Sequence, residues 1–136
     1  ISMEPTIRDN TPFVVEKISL LVRPPQRFDI VQHIEPTKNQ ATFIKRVIGL
    51  PGESVSIKQN AVFITSPSKE EVKLNEPYLR SDAIISVPYG AKREFVLTDN
   101  EYFVMGDNRQ NSNDSRGYGP VRRKLITGKV YPIALH

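Results

Sequence analysis

The chain has 136 residues, a length that one domain with its own hydrophobic core accommodates. It contains no cysteine, which excludes a disulfide framework, a thiolate zinc site and a thiol nucleophile. The formal net charge of +4 is mildly basic, and by itself it fits a solvated surface, an anionic membrane or a nucleic acid partner.

No run of the sequence approaches the ~18 apolar residues of a membrane-spanning helix, and the first residues lack the pattern of a signal peptide. Because the chain does not start with methionine, we expect that a segment upstream of Ile1 has been removed. The longest local apolar run is residues 18–22. It predicts a buried strand, with a surface patch that touches lipid as the alternative.

Short strand-like segments separated by proline and glycine turns make up most of the chain. The predicted strands cover residues 12–22, 28–34, 42–50, 54–57, 61–64, 94–97, 102–105 and 128–133. The turns that close the first three lie at residues 23–25, 36–39 and 51–52. Residues 58–60 predict one hairpin, and residues 98–101 predict a second.

Helical periodicity is weak throughout, and it predicts one short helical turn near residues 121–126. Residues 106–119 predict a long loop. The fold class is therefore all-β, a barrel or packed antiparallel sheets. We expect a single catalytic domain over residues 1–136, in which residues 66–93 form a small β excursion or a flexible loop.

A lysine lies within the aliphatic segment of residues 42–50. Alternate residues of a strand share a face, so Lys45 lies with Phe43 and Val47. Both faces are otherwise apolar, which predicts a strand covered on both sides. A buried lysine loses its proton more easily. To be neutral around pH 8 its pKa must fall by about two to three units, roughly 3–4 kcal/mol. The alternative is a lysine whose amine reaches water.

A lysine base needs a group to deprotonate, and Ser2 is the candidate hydroxyl. Pro5 fixes the backbone beside it, which predicts a serine held at the start of a strand; an ordinary polar residue near the terminus is the alternative. The histidines are His33 and His136. A Ser-His-Asp triad would have to use His33, and nothing in the sequence favours it.

Residues 106–117, GDNRQNSNDSRG, are dense in short hydrogen-bonding side chains. The spacing of its acids fails the calcium-binding pattern of an EF-hand. Two acids alternate with two arginines, which indicates internal ion pairs. We expect no metal and no other cofactor, and a loop that locks itself through side-chain turns and holds a hydroxyl against a buried amine.

Together these segments resemble the motifs of type I signal peptidase, a membrane-anchored Ser-Lys protease that removes signal peptides from exported proteins. The match runs from Ser2 to about Gly119 in order and spacing. Phe28 stands where glycine is common, which we interpret as a packing variation, and Ile1 stands where a smaller or polar residue is usual. The matching segments are SMEPT at 2–6, FDIV at 28–31, KRVIGLPGE at 45–53, GDN at 106–108, NS at 111–112 and DSR at 114–116.

The resemblance implies a role for each member of the catalytic group. Ser2 is the nucleophile, Lys45 the neutral general base, and Ser112 orients the lysine amine. The Ser2 backbone N–H donates to the oxyanion. The family's second oxyanion donor is a serine two residues before the nucleophile, a position upstream of Ile1.

The resemblance also implies supporting ion pairs, in which Asp107 pairs with Arg46 and Asp114 with Arg116. For the substrate, it implies that Thr42, Phe43 and Ile44 form an edge to which the substrate adds as a strand. Met3 and Ile44 then help to line shallow pockets for small residues at positions −1 and −3.

The implied partners are the signal peptides of secreted preproteins and the membrane surface, with no nucleic acid. The implied location is the cell membrane, with the catalytic domain on the extracytoplasmic face and the membrane anchor upstream of this chain.

Three alternatives stay open. A self-cleaving repressor-type Ser-Lys protease shares the chemistry, but it needs an internal cleavage segment and usually a DNA-binding domain, which the sequence does not reveal. A non-catalytic basic β-barrel that binds nucleic acid is a different class; against it, the aromatic residues lie at core-like alternating positions and are not interleaved with basic ones. The third is a family member that keeps the fold without the activity.

Overall fold

The structure is a computed structural model that describes residues 1–37, 40–68 and 70–133. Within these residues the chain forms ten strands and one short helix, α1, at Ser115–Tyr118. The strands are β1 Phe13–Glu16, β2 Ile30–Ile34, β3 Thr42–Gly49, β4 Ser54–Lys58, β5 Ala61–Thr65, β6 Glu71–Lys73, β7 Glu94–Val96, β8 Glu101–Met105, β9 Val121–Arg122 and β10 Ile126–Pro132. Lys38 and Asn39 of one predicted turn, and His136, lie outside the described residues.

The described strands assemble into two antiparallel sheets. The first has six strands in the order β1-β10-β2-β3-β8-β9, and the second has four in the order β6-β5-β4-β7. The predicted all-β class with packed antiparallel sheets is therefore confirmed. In the part of the chain that the structure describes, no helix is long and apolar enough to cross a membrane.

Strand β3 is buried on both faces, as the sequence predicts. On one face Val47 belongs to a buried cluster with Val31 and Val104. On the other face Ile48 belongs to a cluster with Phe103 and with apolar residues of the four-stranded sheet, so this cluster joins the two sheets. Lys45 and Arg46 therefore sit in a strand that both layers of the core hold in place.

Of the two predicted hairpins, one forms. Strands β4 and β5 pair across a two-residue turn in which Gln59 and Asn60 both have φ near +54°. The prediction of the second hairpin, at residues 98–101, is wrong, because β7 pairs with β4 while β8 pairs with β3 in the other sheet. Leu97 is tied to the start of β4, since its N–H donates to Glu53 O at 2.8 Å. The chain therefore crosses between the sheets after β7 instead of folding back.

The strand predicted over residues 12–22 ends early. Glu16 closes β1, because its carboxylate accepts hydrogen bonds from the Ser19 N–H at 2.6 Å and from the Ser19 hydroxyl at 2.5 Å. Residues 19–21 then form a 3-10 turn. The predicted buried strand at residues 18–22 is thus wrong: Leu21 and Val22 are 83% and 82% exposed.

The backbone at Phe28 explains the departure from glycine there. Its φ of +74° lies in the left-handed region that glycine adopts most easily. The Phe28 carbonyl accepts a hydrogen bond from Arg46 Nη1 at 2.9 Å, and its N–H donates to Val47 O at 2.7 Å. The position thus requires a particular backbone conformation, and our interpretation as a packing variation is wrong.

The loop regions differ from prediction in two places. The short helical turn predicted near residues 121–126 is confirmed as a 3-10 turn at 123–125, but it follows the strand β9, and α1 lies within the predicted loop of residues 106–119. The predicted excursion of residues 66–93 contains β6, which pairs with β5.

The β4–β5 turn provides a stability test. Gln59 is exposed and holds a left-handed conformation that asparagine adopts more readily. We expect Gln59→Asn to raise the free energy of unfolding by about 0.5–1 kcal/mol. Urea denaturation measures the change. The control is Gln26→Asn, also exposed but without a positive φ, and an equal gain in both variants would contradict the explanation.

Candidate active site

Ser2 lies in a turn, so the prediction that it starts a strand is wrong. The turn is closed by hydrogen bonds from Glu4 N–H to Ile1 O at 3.1 Å and from Ile7 N–H to Met3 O at 2.9 Å. The Ser2 carbonyl accepts from the Asn108 N–H at 2.8 Å, which ties the turn to the loop after β8.

The loop after β8 begins at Gly106, and its close approach to the turn requires glycine. A Cβ at this position would lie 2.5 Å from the Ser2 carbonyl oxygen and would also overlap the side chain of Ser112. The absence of a side chain therefore lets the two serines approach each other from sequence positions 110 residues apart.

Lys45 extends from β3 to both serines. Its Nζ lies 2.7 Å from Ser2 Oγ and 3.2 Å from Ser112 Oγ. The residue is 3% exposed, and Nζ lies 5.3 Å from the centre of the Phe43 ring. Burial lowers the pKa of Lys45 to about 8, against the opposing influence of the Asp114 carboxylate. A substantial fraction of the amine is therefore neutral near physiological pH.

Ser112 determines which way the lysine amine points. Its hydroxyl donates to Asp114 Oδ2 at 2.8 Å, which leaves the lone pairs of Ser112 Oγ to accept a hydrogen bond from Lys45 Nζ. When Lys45 is neutral, its own lone pair is then available to the Ser2 hydroxyl. The chain of contacts from Asp114 to Ser2 thus orients the amine as an acceptor toward Ser2.

Two buried ion pairs support this group. Arg46 donates to both carboxylate oxygens of Asp107, at 2.9 and 2.7 Å. Arg116 donates to both oxygens of Asp114, at 2.9 and 2.8 Å. Burial opposes ionisation of Asp114, but the hydrogen bond and charge of Arg116, together with the hydrogen bonds from Gly106 and Ser112, outweigh it and lower the pKa of that carboxyl. The structure therefore brings together the residue pairs that the resemblance implies.

A cavity of about 290 Å³ opens beside the Ser2–Lys45 contact. It contains all four residues expected to bind substrate, together with further ones that the sequence did not single out. Its lining is Ile1, Ser2, Met3, Ile7, Arg8, Asp9, Phe13, Thr42, Phe43, Ile44 and Lys45.

Strand β3 runs along this cavity, and over residues 42–45 a described strand pairs with only one of its two edges. Strand β2 pairs with β3 from Thr42 to Arg46, whereas β8 pairs with β3 only from Arg46 onward. Beyond Met105 the chain turns away into the loop that carries Ser112. Among the described strands, none pairs with the second edge of β3 over residues 42–45. That edge can accept an extended chain.

His33 is placed elsewhere in the fold. Its Nδ1 lies 3.0 Å from Ile34 O and its Nε2 lies 3.1 Å from the Tyr118 hydroxyl. Burial lowers the pKa of His33. The acidic residues close to His33 in the sequence have other partners, Asp29 with Lys129 at 3.4 Å and Glu35 with Thr37. The hydroxyl–base contact therefore involves Lys45 and not His33.

One contact near Ser2 was not anticipated from the sequence. The Thr6 hydroxyl donates to Asp107 Oδ2 at 2.5 Å, which links the turn of Ser2 to the ion pair of Arg46. Thr6 is the last residue of the SMEPT segment, but the sequence does not indicate that it contacts Asp107. Among the described residues no cluster of three or more candidate ligands could hold a metal ion.

A serine hydroxyl, a buried lysine amine and a second serine that orients it are typical of a serine protease whose general base is lysine. The comparisons with known proteins point to the same class. The family model described as signal peptidase, peptidase S26, matches residues 1–134. The chain belongs to this family, and the resemblance seen in its motifs is confirmed.

Two relatives illustrate the match. The chain is 37% identical over 136 residues to the probable signal peptidase I-2 of Synechocystis sp., covering 96% of this chain and 57% of that protein. It is 34% identical over 139 residues to signal peptidase I V of Bacillus subtilis, covering 96% of this chain and 79% of that protein. The chain thus spans little more than half of the cyanobacterial relative.

The fold has a counterpart among solved structures. The crystal structure of a signal peptidase I from Enterococcus faecalis V583 superposes with a TM-score of 0.63 and is 31% identical. The superposition covers 79% of this chain and 97% of that one. The two chains therefore share their fold over most of their length.

The depressed pKa of Lys45 can be measured directly. We expect the ¹³Cε resonance of Lys45 to titrate with a midpoint at about pH 8, because burial disfavours the charged amine. The signal is assigned by its loss in Lys45→Met. A midpoint near the ~10.4 of an ordinary lysine would show that the amine is solvated.

Proposed function

We propose that residues 1–136 form the single catalytic domain of a serine endopeptidase that removes N-terminal signal peptides from exported proteins through an acyl-enzyme. The observation that carries the proposal is the 2.7 Å contact between Ser2 Oγ and the buried Lys45 Nζ. Membership of the signal peptidase family supports the choice of substrate.

The first half of the reaction uses Lys45 as base and then as acid. Neutral Lys45 takes the proton of Ser2 Oγ as the oxygen attacks the scissile carbonyl carbon. The Ser2 N–H donates to the developing oxyanion. The C–N bond then breaks, and the protonated Lys45 returns its proton to the leaving amine. The signal peptide remains attached to Ser2 as an ester.

The second half releases the signal peptide. Lys45, again neutral, takes a proton from a water molecule that attacks the ester carbonyl, and it gives that proton to Ser2 Oγ as the C–O bond breaks. Ser112 keeps the amine directed toward Ser2 in both halves, since it accepts the hydrogen bond at 3.2 Å. The ion pairs Arg46–Asp107 and Arg116–Asp114 hold the strand and the loop that carry these groups.

The cavity supports a substrate with small apolar residues near the scissile bond. An extended signal peptide would add to the open edge of Thr42, Phe43 and Ile44, with its backbone paired to β3. Met3 and Ile44 would bound the pockets for the −1 and −3 side chains. Both residues line the cavity beside Ser2, and Met3 is almost wholly buried.

We also propose that the protein works on the extracytoplasmic face of the cell membrane, held by an anchor upstream of this chain, and without nucleic acid. One exposed face supports contact with lipid. Ile18, Leu21 and Val22 are exposed together, and Arg123 lies beside them, with its Nη2 donating to Leu20 O at 2.7 Å. Exposed apolar side chains next to cationic ones suit an anionic bilayer surface.

Cleavage of a peptide with alanine at −3 and −1 tests the dyad. We expect kcat to fall by roughly 10³-fold or more in Ser2→Ala and in Lys45→Met, since each removes one partner of the proton transfer. Lys124→Met, an exposed lysine, should keep full activity. Cleavage that survives both dyad substitutions would refute the mechanism. Salt-sensitive binding of nucleic acid without any proteolysis would favour a binding module instead.

Co-sedimentation with vesicles that contain anionic phospholipid tests the membrane contact. We expect Leu21→Glu with Val22→Glu to weaken binding by roughly tenfold or more, because two apolar side chains no longer enter the interface. Val96→Glu is the control, since Val96 is equally exposed but lies on β7 of the other sheet. Equal loss in both variants would show a general charge effect.

A further inference from the structure

Residues 66–93, which we call the excursion, follow β5, add β6 to the edge of the four-stranded sheet, and return to that sheet at β7. Two of its side chains, Glu76 and Tyr78, do not face solvent. Glu76 contacts the loop of residues 106–116, which we call the catalytic loop because it carries Ser112, and Tyr78 contacts Glu76 and Arg46.

Glu76 forms a buried ion pair with the catalytic loop. Its carboxylate oxygens accept hydrogen bonds from Arg109, one from Nη1 at 3.2 Å and one from Nη2. The side chains of Glu76 and Arg109 are 5% and 0% exposed. Arg109 Nε also donates to Gly106 O at 2.8 Å, at the point where the loop leaves β8. Glu76 thus holds the arginine that closes the loop on itself.

Tyr78 connects Glu76 to the ion pair of Arg46 with Asp107. Its hydroxyl donates to Glu76 Oε2 at 2.5 Å. Its ring lies against the guanidinium of Arg46, 3.9 Å from the ring centre, while Arg46 holds Asp107 in the catalytic loop. One short stretch of the excursion therefore touches an arginine of β3 and an arginine of the loop.

The catalytic loop in turn touches both members of the dyad. Asn108 N–H donates to the Ser2 carbonyl at 2.8 Å, and Ser112 Oγ lies 3.2 Å from Lys45 Nζ. The packing at Gly106 leaves no spare space between the loop and the turn of Ser2. A shift of the loop therefore changes the position of the nucleophile and the orientation of the base at once.

We propose that Glu76 and Tyr78 are positioning residues, which clamp the catalytic loop so that Ser2, Lys45 and Ser112 keep their reactive geometry. Neither residue lines the cavity beside Ser2, and neither contacts Ser2 or Lys45. The effect of this clamp on the reaction rate rests on the proposed function, whereas its effect on the environment of Lys45 does not.

Loss of the clamp should change the pKa of Lys45 more than it changes substrate binding in the cavity. Without the Glu76 carboxylate, Arg109 loses its ionic partner and the loop loosens. Water then reaches the lysine amine, whose pKa is depressed by burial, so the pKa moves up toward its ordinary value. The edge of β3 over residues 42–45 is fixed by the pairing of β3 with β2 on its opposite edge, so the main-chain contacts of the substrate should persist and KM should change little.

The experiment compares Glu76→Gln and Tyr78→Phe with a matched control. Tyr78→Phe removes only the hydroxyl and keeps the ring against Arg46. The control is Glu71→Gln, which makes the same substitution in the same excursion but breaks an exposed pair with Lys58. Each variant is measured for its thermal midpoint, for the ¹³Cε titration of Lys45, and for kcat and KM on the peptide with alanine at −3 and −1.

In Glu76→Gln we expect the titration midpoint of Lys45 to rise by about half a unit or more, and kcat to fall about ten- to hundredfold at nearly constant KM. Tyr78→Phe should show smaller changes in the same directions, and Glu71→Gln none. Should Glu76→Gln fold poorly, Glu76→Gln with Arg109→Gln removes the unpaired charge as well. This double variant should regain thermal stability without regaining kcat or the low Lys45 midpoint.

An unchanged Lys45 titration in folded Glu76→Gln and Tyr78→Phe would overturn the proposal, as would recovery of full kcat in the double variant. The proposed function fails separately. If the unsubstituted protein cleaves no peptide, the cleavage assay reports that failure, and the titration of Lys45 still decides whether the clamp acts on the amine.

Discussion

The rest of the structure follows from the burial of one amine, that of Lys45. An ammonium group in this position is disfavoured, and the lowered pKa of Lys45 lets its amine serve as the base for Ser2 in the mechanism that we propose. Burial requires a strand that is covered on both faces, which β3 achieves by lying between the two main clusters of the core. It also requires that every polar neighbour be placed so that the amine is oriented without being fully solvated.

The neighbours of Lys45 are held by charges that are themselves buried. Arg46, Arg109 and Arg116 each reach a carboxylate, and among the described residues no buried side-chain nitrogen or oxygen lacks a hydrogen-bond partner. Such pairs contribute little net stability, because desolvation offsets much of their attraction. Their value here is geometric, since a guanidinium that grips both oxygens of a carboxylate fixes the direction of the loop that it joins.

Sequence reasoning reached the features that depend on local pattern. The alternation around Lys45 predicted a strand covered on both faces, and Gln59 with Asn60 lies in a hairpin turn that was visible from its flanking strands. It failed where the outcome depends on distant partners. Leu21 and Val22 are apolar, yet composition does not reveal that Glu16 ends the strand before them. The contact of Glu76 with Arg109 in the catalytic loop and that of Tyr78 with Arg46 in β3 each join segments about thirty residues apart, and no spacing rule signals them.

The edge of β3 over residues 42–45 with which no described strand pairs has a consequence for selectivity. A strand edge that binds its ligand through main-chain hydrogen bonds selects mainly for an extended backbone and only secondarily for particular side chains. A polypeptide already folded into helices or sheets has its backbone groups engaged and cannot pair there. The groove would therefore act as a filter for unfolded segments and tolerate wide variation in their sequences. Only the few side chains that enter the cavity between Met3 and Ile44 would then need to be small.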